Sequence, residues 1–253
     1  MNALHARLAV VLLALSSACA PTPSGGEVEI VRRSELELVP LNPLRGDASP
    51  KAGVLWGDLK GEGPTGALIR FVGDFSSPPH IHNVTYRAVV LEGVVHNDDP
   101  EAAPMWMEPG SFWTQPAGEA HITSAGPEGA VAFLEIDSGP YLVRPPAEAF
   151  DNGERPINIE ARNVVWLAES NGLEVAYLWG DPEVRHGAFL RLAAGTGGHL
   201  SGKLRAVVIA GRIGELDAGS YLGLDGSHPL ACDGDRDCVL YLSAEGRFDI
   251  SPR

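Results

Sequence analysis

Leu55-Trp56-Gly57-Asp58 returns as Leu178-Trp179-Gly180-Asp181, and the segments downstream of each copy return in the same order. Ala67-Leu68-Ile69-Arg70-Phe71 is echoed by Ala188-Phe189-Leu190-Arg191-Leu192, Arg87-Ala88-Val89-Val90 by Arg205-Ala206-Val207-Val208, and Gly110-Ser111-Phe112 by Gly219-Ser220-Tyr221. Matches that keep their order along the chain mark a duplicated unit. Within each copy the apolar residues form short runs rich in Val, Ile, Leu and aromatics, broken by Gly, Pro and Asp. That is the punctuation of strands, and many short strands at even spacing predict an all-β sandwich or barrel in each copy. A signal occupies 1–20, a linker 21–35, a first unit 36–145, a connection 146–159 and a second unit 160–253.

The 253-residue chain carries 33 acidic and 19 basic residues, a formal net charge of -14. Such a surface repels phosphate backbones, so nucleic acid is excluded as the expected partner. Met1–Ala20 has Arg7, the apolar run Leu8–Leu15 and the small residues Ser16-Ser17-Ala18-Cys19-Ala20, the layout of an export signal. The run is too short for a permanent span. Ser16-Ser17-Ala18-Cys19 resembles a lipobox, which would lipidate Cys19 and anchor the protein to the cell envelope; ordinary cleavage would release it into the periplasm. Pro21–Gly26 reads as a tether. The remaining cysteines, Cys232 and Cys238, flank a polar turn and are expected to form a disulfide after export, with a zinc site near His228 as the alternative.

Chemistry concentrates in the first copy. In Pro78-Pro79-His80-Ile81-His82 the two histidines share a face of an extended strand, because side chains alternate with period two. An isolated His-x-His is commonly a surface accident. A third imidazole, His121, arrives after the Pro116-Ala117-Gly118 turn, which makes His80, His82 and His121 a candidate site for one divalent metal: iron, zinc or manganese. His96 is a candidate acid or base beside the ligands, although a strand-end histidine near the surface accounts for it equally well. Met105, Trp106, Met107, Phe112 and Trp113 supply either an apolar lining for a small organic ligand or ordinary core. The second copy reads Gly197-Gly198-His199-Leu200-Ser201-Gly202 where His-x-His would fall, so no metal is expected there; His186 is read as a loop residue without a partner.

Gly73, His80, His82 and Gly93 resemble the first motif of the cupin superfamily, and Gly110–His121 resembles its second. Phe75–Arg87, Val95–Asp99, Gly110–His121 and Gly153-Glu154-Arg155-Pro156 together resemble a bacterial family of two-domain cupins known only as a domain of unknown function. The resemblance implies two tandem cupin jelly-roll barrels (double-stranded β-helix), the second degenerate, and a mild tendency to form homodimers. It brings no established reaction. The glutamate of the first cupin motif is missing, and Tyr86 or Arg87 stands in its place. Strict alternation turns Tyr86 inward as a candidate catalytic residue or fourth ligand, and a bulge would turn Arg87 in instead. Three neutral imidazoles leave a divalent ion its full double charge. The ligand set is similar to that of diketone-cleaving and thiol dioxygenases, so an oxygenase acting on a small molecule is expected; a zinc or manganese hydrolase or isomerase and a non-catalytic binding module are the alternatives.

Overall fold

The computed structural model describes residues 27–169 and 172–252. The proposed signal, its lipidation site Cys19 and the Pro21–Gly26 tether lie outside them. The described chain is nearly all β and builds two rolled sheets. The first runs in the order 157–159, 112–115, 86–98, 122–136, 65–71, 51–56, 39–40, and the second in the order 27–31, 221–231, 197–210, 238–245, 185–192, 173–181, 167–168. All their pairings are antiparallel. This is the all-β class that the strand punctuation predicts, in the jelly-roll form that the cupin resemblance implies.

The duplication is visible in backbone detail. A register break falls between Val54 and Trp56 and again between Tyr177 and Trp179. Each precedes a left-handed glycine, Gly57 at φ 77° and Gly180 at φ 83°. A Cβ on Gly57 would sit 2.3 Å from the Pro64 carbonyl oxygen, and one on Gly180 2.2 Å from that of Arg185, so only glycine closes either turn. The bulges turn Trp56 and Trp179 across the neighbouring strand onto Gly66 and Gly187, where an added Cβ would fall 2.2 Å and 1.8 Å from the indole rings. These tryptophan–glycine pairs are the physical content of the repeated Leu-Trp-Gly-Asp.

The strands alternate between two buried environments. Ala88, Val90, Trp113 and Leu134 face the first barrel's own core, whereas Val89, Phe112 and Phe133 face outward into a cluster shared with Phe189, Val207, Tyr221 and Tyr241 of the second copy. Both faces are dry. That explains runs of apolar residues instead of strict alternation. The second barrel is filled by its own cluster of Leu190, Leu192, Leu200, Leu230, Leu240 and Leu242.

The two halves also exchange strands. Glu27–Val31 pairs with Tyr221–Ala231 in the second sheet, and Ile157–Ile159 pairs with Phe112–Gln115 in the first. The expectation of a plain linker over 21–35 is corrected here: residues 27–31 form a strand, because the partner edge supplies hydrogen bonds that an isolated segment lacks. Likewise Ile157–Ile159, placed by the sequence in a connection, is part of a sheet. Cys232 and Cys238 are joined by a disulfide across their turn.

Candidate metal centre

A second layer of pairing closes the mouth of the first barrel and gathers the histidines. Ile81–His82 pairs with Val143–Arg144, while His80 and His121 face one another in a bridge, exchanging backbone hydrogen bonds of 3.1 and 3.0 Å. Ser77 N–H donates to the Thr123 carbonyl at 2.9 Å, and Gly118 N–H to that of His82 at 2.8 Å. The Pro116–Gly118 turn delivers His121 opposite His80. One ring nitrogen from each of His80, His82 and His121 falls within 4.8 Å of the others, and all three side chains are buried.

Which nitrogens converge is decided by the backbone. Nδ1 of His80 lies 2.9 Å from the Pro78 carbonyl, Nδ1 of His82 3.1 Å from that of Leu142, and Nδ1 of His121 3.2 Å from that of Glu119. A carbonyl only accepts, so each Nδ1 carries the proton and each Nε2 presents a lone pair. His80 Nε2 and His82 Nε2 are 3.2 Å apart, and His121 Nε2 is buried with no hydrogen-bond partner among the described residues. Buried lone pairs facing one another repel, which an ion between them would relieve; the donor set fits a borderline divalent metal with outer-shell orientation already in place. Burial lowers the His80 imidazole below its ordinary value. Burial first, then the charges of His121 and His80, hold His82 well down, and burial followed by His80 pushes His121 down to about 3. The three are therefore neutral, as ligands must be.

Tyr86 faces inward, as alternation predicts, with its ring centroid 5.3 Å from that of His82 and 6.1 Å from that of His121. Its hydroxyl, however, is committed elsewhere: it donates to Asn97 Oδ1 at 2.8 Å, which also accepts from Thr123 Oγ1 at 2.7 Å. Asn97 Nδ2 donates to Gln115 Oε1 at 2.9 Å, and Gln115 Nε2 to the Glu119 carbonyl that faces His121. Burial pushes the Tyr86 hydroxyl up to about 12. Tyr86 thus anchors a polar network behind His121, and the reading of it as a fourth ligand is corrected. Arg87 points away, its guanidinium 3.8 Å over the Trp179 ring.

His96 is not brought to the site. A shift in register between Val90 and Glu92 rotates the strand by one place, so that Val95 joins the core and the buried His96 packs on the other side, its Nδ1 3.2 Å from the Met105 carbonyl and its ring beside Trp106. The aromatic lining is likewise divided: Trp113 borders the cavity, Phe112 faces the second barrel, Met107 is core and Trp106 is exposed. His186 lies on a strand rather than in a loop, buried and stacked on Phe248 at 5.5 Å. In the second barrel Leu200 points into the core, while His199 is exposed and His228 half-buried.

One residue of the site escapes sequence reading altogether. Tyr141 stacks on His82 at 4.3 Å between ring centroids, and its hydroxyl lies 3.1 Å from His82 Nε2. It sits on the strap that supplies the Leu142 carbonyl to His82. Asn83 clamps that strap, donating from Nδ2 to the Pro140 carbonyl and accepting from Leu142 N–H, each at 2.9 Å. Burial, then the neighbouring Tyr86, raises the Tyr141 hydroxyl well above its ordinary value, so it stays a donor. The one clue is Asn83 directly after His-x-His, but nothing in the sequence links it to residues 140–142. His80, His82 and both tyrosines open onto a cavity of about 600 Å³, with His121 buried behind them.

A family model described as a domain of unknown function, DUF4437, matches residues 29–251. No curated protein matches. Solved structures of similar fold include a Nostoc punctiforme protein described as a "putative dioxygenase" (TM-score 0.66, 13% identity, 90% of this chain and 84% of that one). Hazelnut (Corylus avellana) vicilin superposes at TM-score 0.60 with 10% identity, covering 88% of this chain and 87% of its own. Bacillus subtilis oxalate decarboxylase gives 0.52 and 14%, over 87% and 78% respectively. All are of cupin type, and at these identities the likeness is one of fold.

Proposed function

The chain belongs to the DUF4437 family, and we propose that it is a metal-dependent enzyme of the oxygenase type, holding one divalent ion through Nε2 of His80, His82 and His121 and acting on a small organic substrate. The observation that carries this reading is the convergence of three buried, proton-free Nε2 atoms, each fixed by a backbone carbonyl on its far nitrogen. When bound, the ion supplies Lewis acidity and open positions for oxygen ligands, since three imidazoles do not fill its coordination sphere. Iron, zinc and manganese all suit these ligands. The manganese(II) centres named for Bacillus subtilis oxalate decarboxylase show one metal that this fold carries elsewhere.

The protein's own groups have separable tasks. The Asn97–Gln115 network and the Asn83 clamp fix the ligand geometry before anything binds, which removes the cost of reorganisation. Among the described residues Tyr141 has no other side-chain hydrogen-bond partner than His82 Nε2; once that lone pair is taken, its hydroxyl is free to donate to an oxygen of the bound substrate. The largely apolar cavity excludes water around that contact. The Met1–Ala20 segment supports export to the periplasm or the envelope.

Metal analysis of protein recovered from its exported form, followed by oxygen uptake with diketones, thiols and phenols, tests the proposal. Bound iron with substrate-dependent uptake is expected. Iron without uptake across the panel rejects oxygenase chemistry, and zinc with hydrolysis or isomerisation of the panel replaces it.

A further inference from the structure

The cavity beside the histidines is sorted by polarity. Its buried walls are apolar: Ile69, Ala88, Trp113 and Leu134 each expose 5% or less of their surface. Apolar side chains also reach the rim, where Leu41, Leu142 and Val143 are exposed at 40%, 38% and 65%. Solvent-facing apolar residues scattered singly mean little, but three that border one apolar cavity extend its surface outward. Inside, the polar side chains gather at His80, His82, Tyr86, Thr123 and Tyr141 with Ser77 nearby, while Asn42 is exposed. Arg45 is the one formally charged residue among those bordering the cavity, and it is exposed at the rim, 5.2 Å over the Phe75 ring. Among the described residues no cation stands at the histidine end to balance a compact dianion.

We propose that the site takes an amphipathic substrate, an aryl or medium-chain alkyl skeleton along the Ile69–Trp113 wall with oxygen donors presented to the three histidines and Tyr141. This rests on the reading of the histidines as a metal centre. Hydrophobic burial supplies the affinity, and the oxygen-bearing head sets the orientation. A cavity of about 600 Å³ has room for such a tail, whereas a two-carbon acid would leave the apolar walls without contacts.

The probes are acetohydroxamate, butyrohydroxamate and octanohydroxamate, which share one oxygen-donor head and differ only in tail, titrated into the full chain loaded with cobalt(II). The visible spectrum reports the head and the dissociation constant reports the tail. Each methylene that leaves water tightens binding by about fourfold, so octanohydroxamate is expected to bind at least about 100-fold tighter than acetohydroxamate. Leu41→Asp is expected to weaken the octanoyl probe more than the acetyl one. A spectral change with all three probes at equal affinity overturns the amphipathic substrate and leaves the metal centre standing. If cobalt does not bind, or binds the His121→Ala variant equally well, the metal reading falls and the substrate class with it.

Discussion

Tyr241→Phe removes one oxygen atom from the seam between the barrels, and the structure sets what that costs. Glu135 is 3% exposed, and its Oε1 accepts from the Tyr241 hydroxyl at 2.6 Å. The cation on that side is Arg87, 3.9 Å from Glu135 but turned toward Asp137 at 3.0 Å. The same hydroxyl accepts from Trp179 Nε1–H at 2.9 Å. Deleting it strips one charged and one neutral hydrogen bond from buried partners, about 2–4 kcal/mol together. For a chain of this size that is a fall in Tm on the order of 5–15 °C at pH 7. The loss depends on pH. Burial raises the Glu135 carboxyl above its ordinary value, opposed by Arg87 and by the Tyr241 hydroxyl. A raised carboxyl favours the folded state fully below about pH 4.5, and that contribution is lost as pH rises through the folded value. Tyr241→Phe removes a donor to the ionised form, so its deficit is largest at neutral pH and shrinks on acidification, where a protonated Glu135 no longer needs that donor. Thermal unfolding of both proteins at pH 7 and pH 4.5 measures the difference, with Glu135→Gln/Tyr241→Phe as the compensated control. A deficit that is absent at pH 7, or that grows on acidification, refutes the reasoning.

The site makes its own predictions. His121→Ala abolishes stoichiometric metal binding while His96→Ala leaves it intact, as elemental analysis of purified variants will show. In the metal-free protein His121, held at about 3 against an ordinary 6.5, stays neutral while the unfolded chain takes up a proton. Stability is therefore complete above about pH 6.5 and falls as pH drops toward the folded value, by about 2 kcal/mol at pH 5 for this residue; urea denaturation should show the limb, and His121→Gln should flatten it. Tyr141→Phe keeps the metal but binds acetohydroxamate about tenfold more weakly, the worth of one hydrogen bond to a metal-held oxygen, read by cobalt(II) spectroscopy. Replacing Cys232 and Cys238 with serine frees a short loop and lowers stability by about 2 kcal/mol in the same urea assay.

How far the sequence reaches can be judged residue by residue. The repeat and its strand punctuation lead to the fold because Trp56 and Gly57, and Trp179 and Gly180, carry a bulge and a left-handed turn that leave a local mark in the chain. His80, His82 and His121 are legible for the same reason, sitting at a two-residue period and behind a Pro-Ala-Gly turn. His96 misleads because alternation counts straight through a register shift that rotates the strand by one place. Tyr141 is invisible because its place depends on a strap 59 residues away from His82, held by Asn83 and by long-range hydrogen bonds with no periodic signature. The exchanged strands Glu27–Val31 and Ile157–Ile159 leave no such mark either, because an edge pairing is specified by its partner as much as by its own sequence.

The missing glutamate ties these levels together. Tyr86 and Arg87 occupy adjacent positions on one strand and so face opposite sides of the sheet. A carboxylate at Tyr86 would ligate from inside the barrel; the tyrosine instead holds Asn97 and the network behind His121. On the outer face Arg87 packs on Trp179, the tryptophan of the second copy's Leu-Trp-Gly-Asp, and pairs with Asp137. One strand therefore connects the candidate metal centre to the seam between the copies. The second barrel, its interior filled by leucines, seals the outer face of the sheet whose inner face carries the site. A loosened seam should then disturb the geometry of the histidines, so that Arg87→Ala, far from any ligand nitrogen, alters the cobalt(II) spectrum as well as the melting temperature. An Arg87→Ala protein that melts earlier yet keeps an unchanged spectrum would show that the two faces of the sheet are energetically independent.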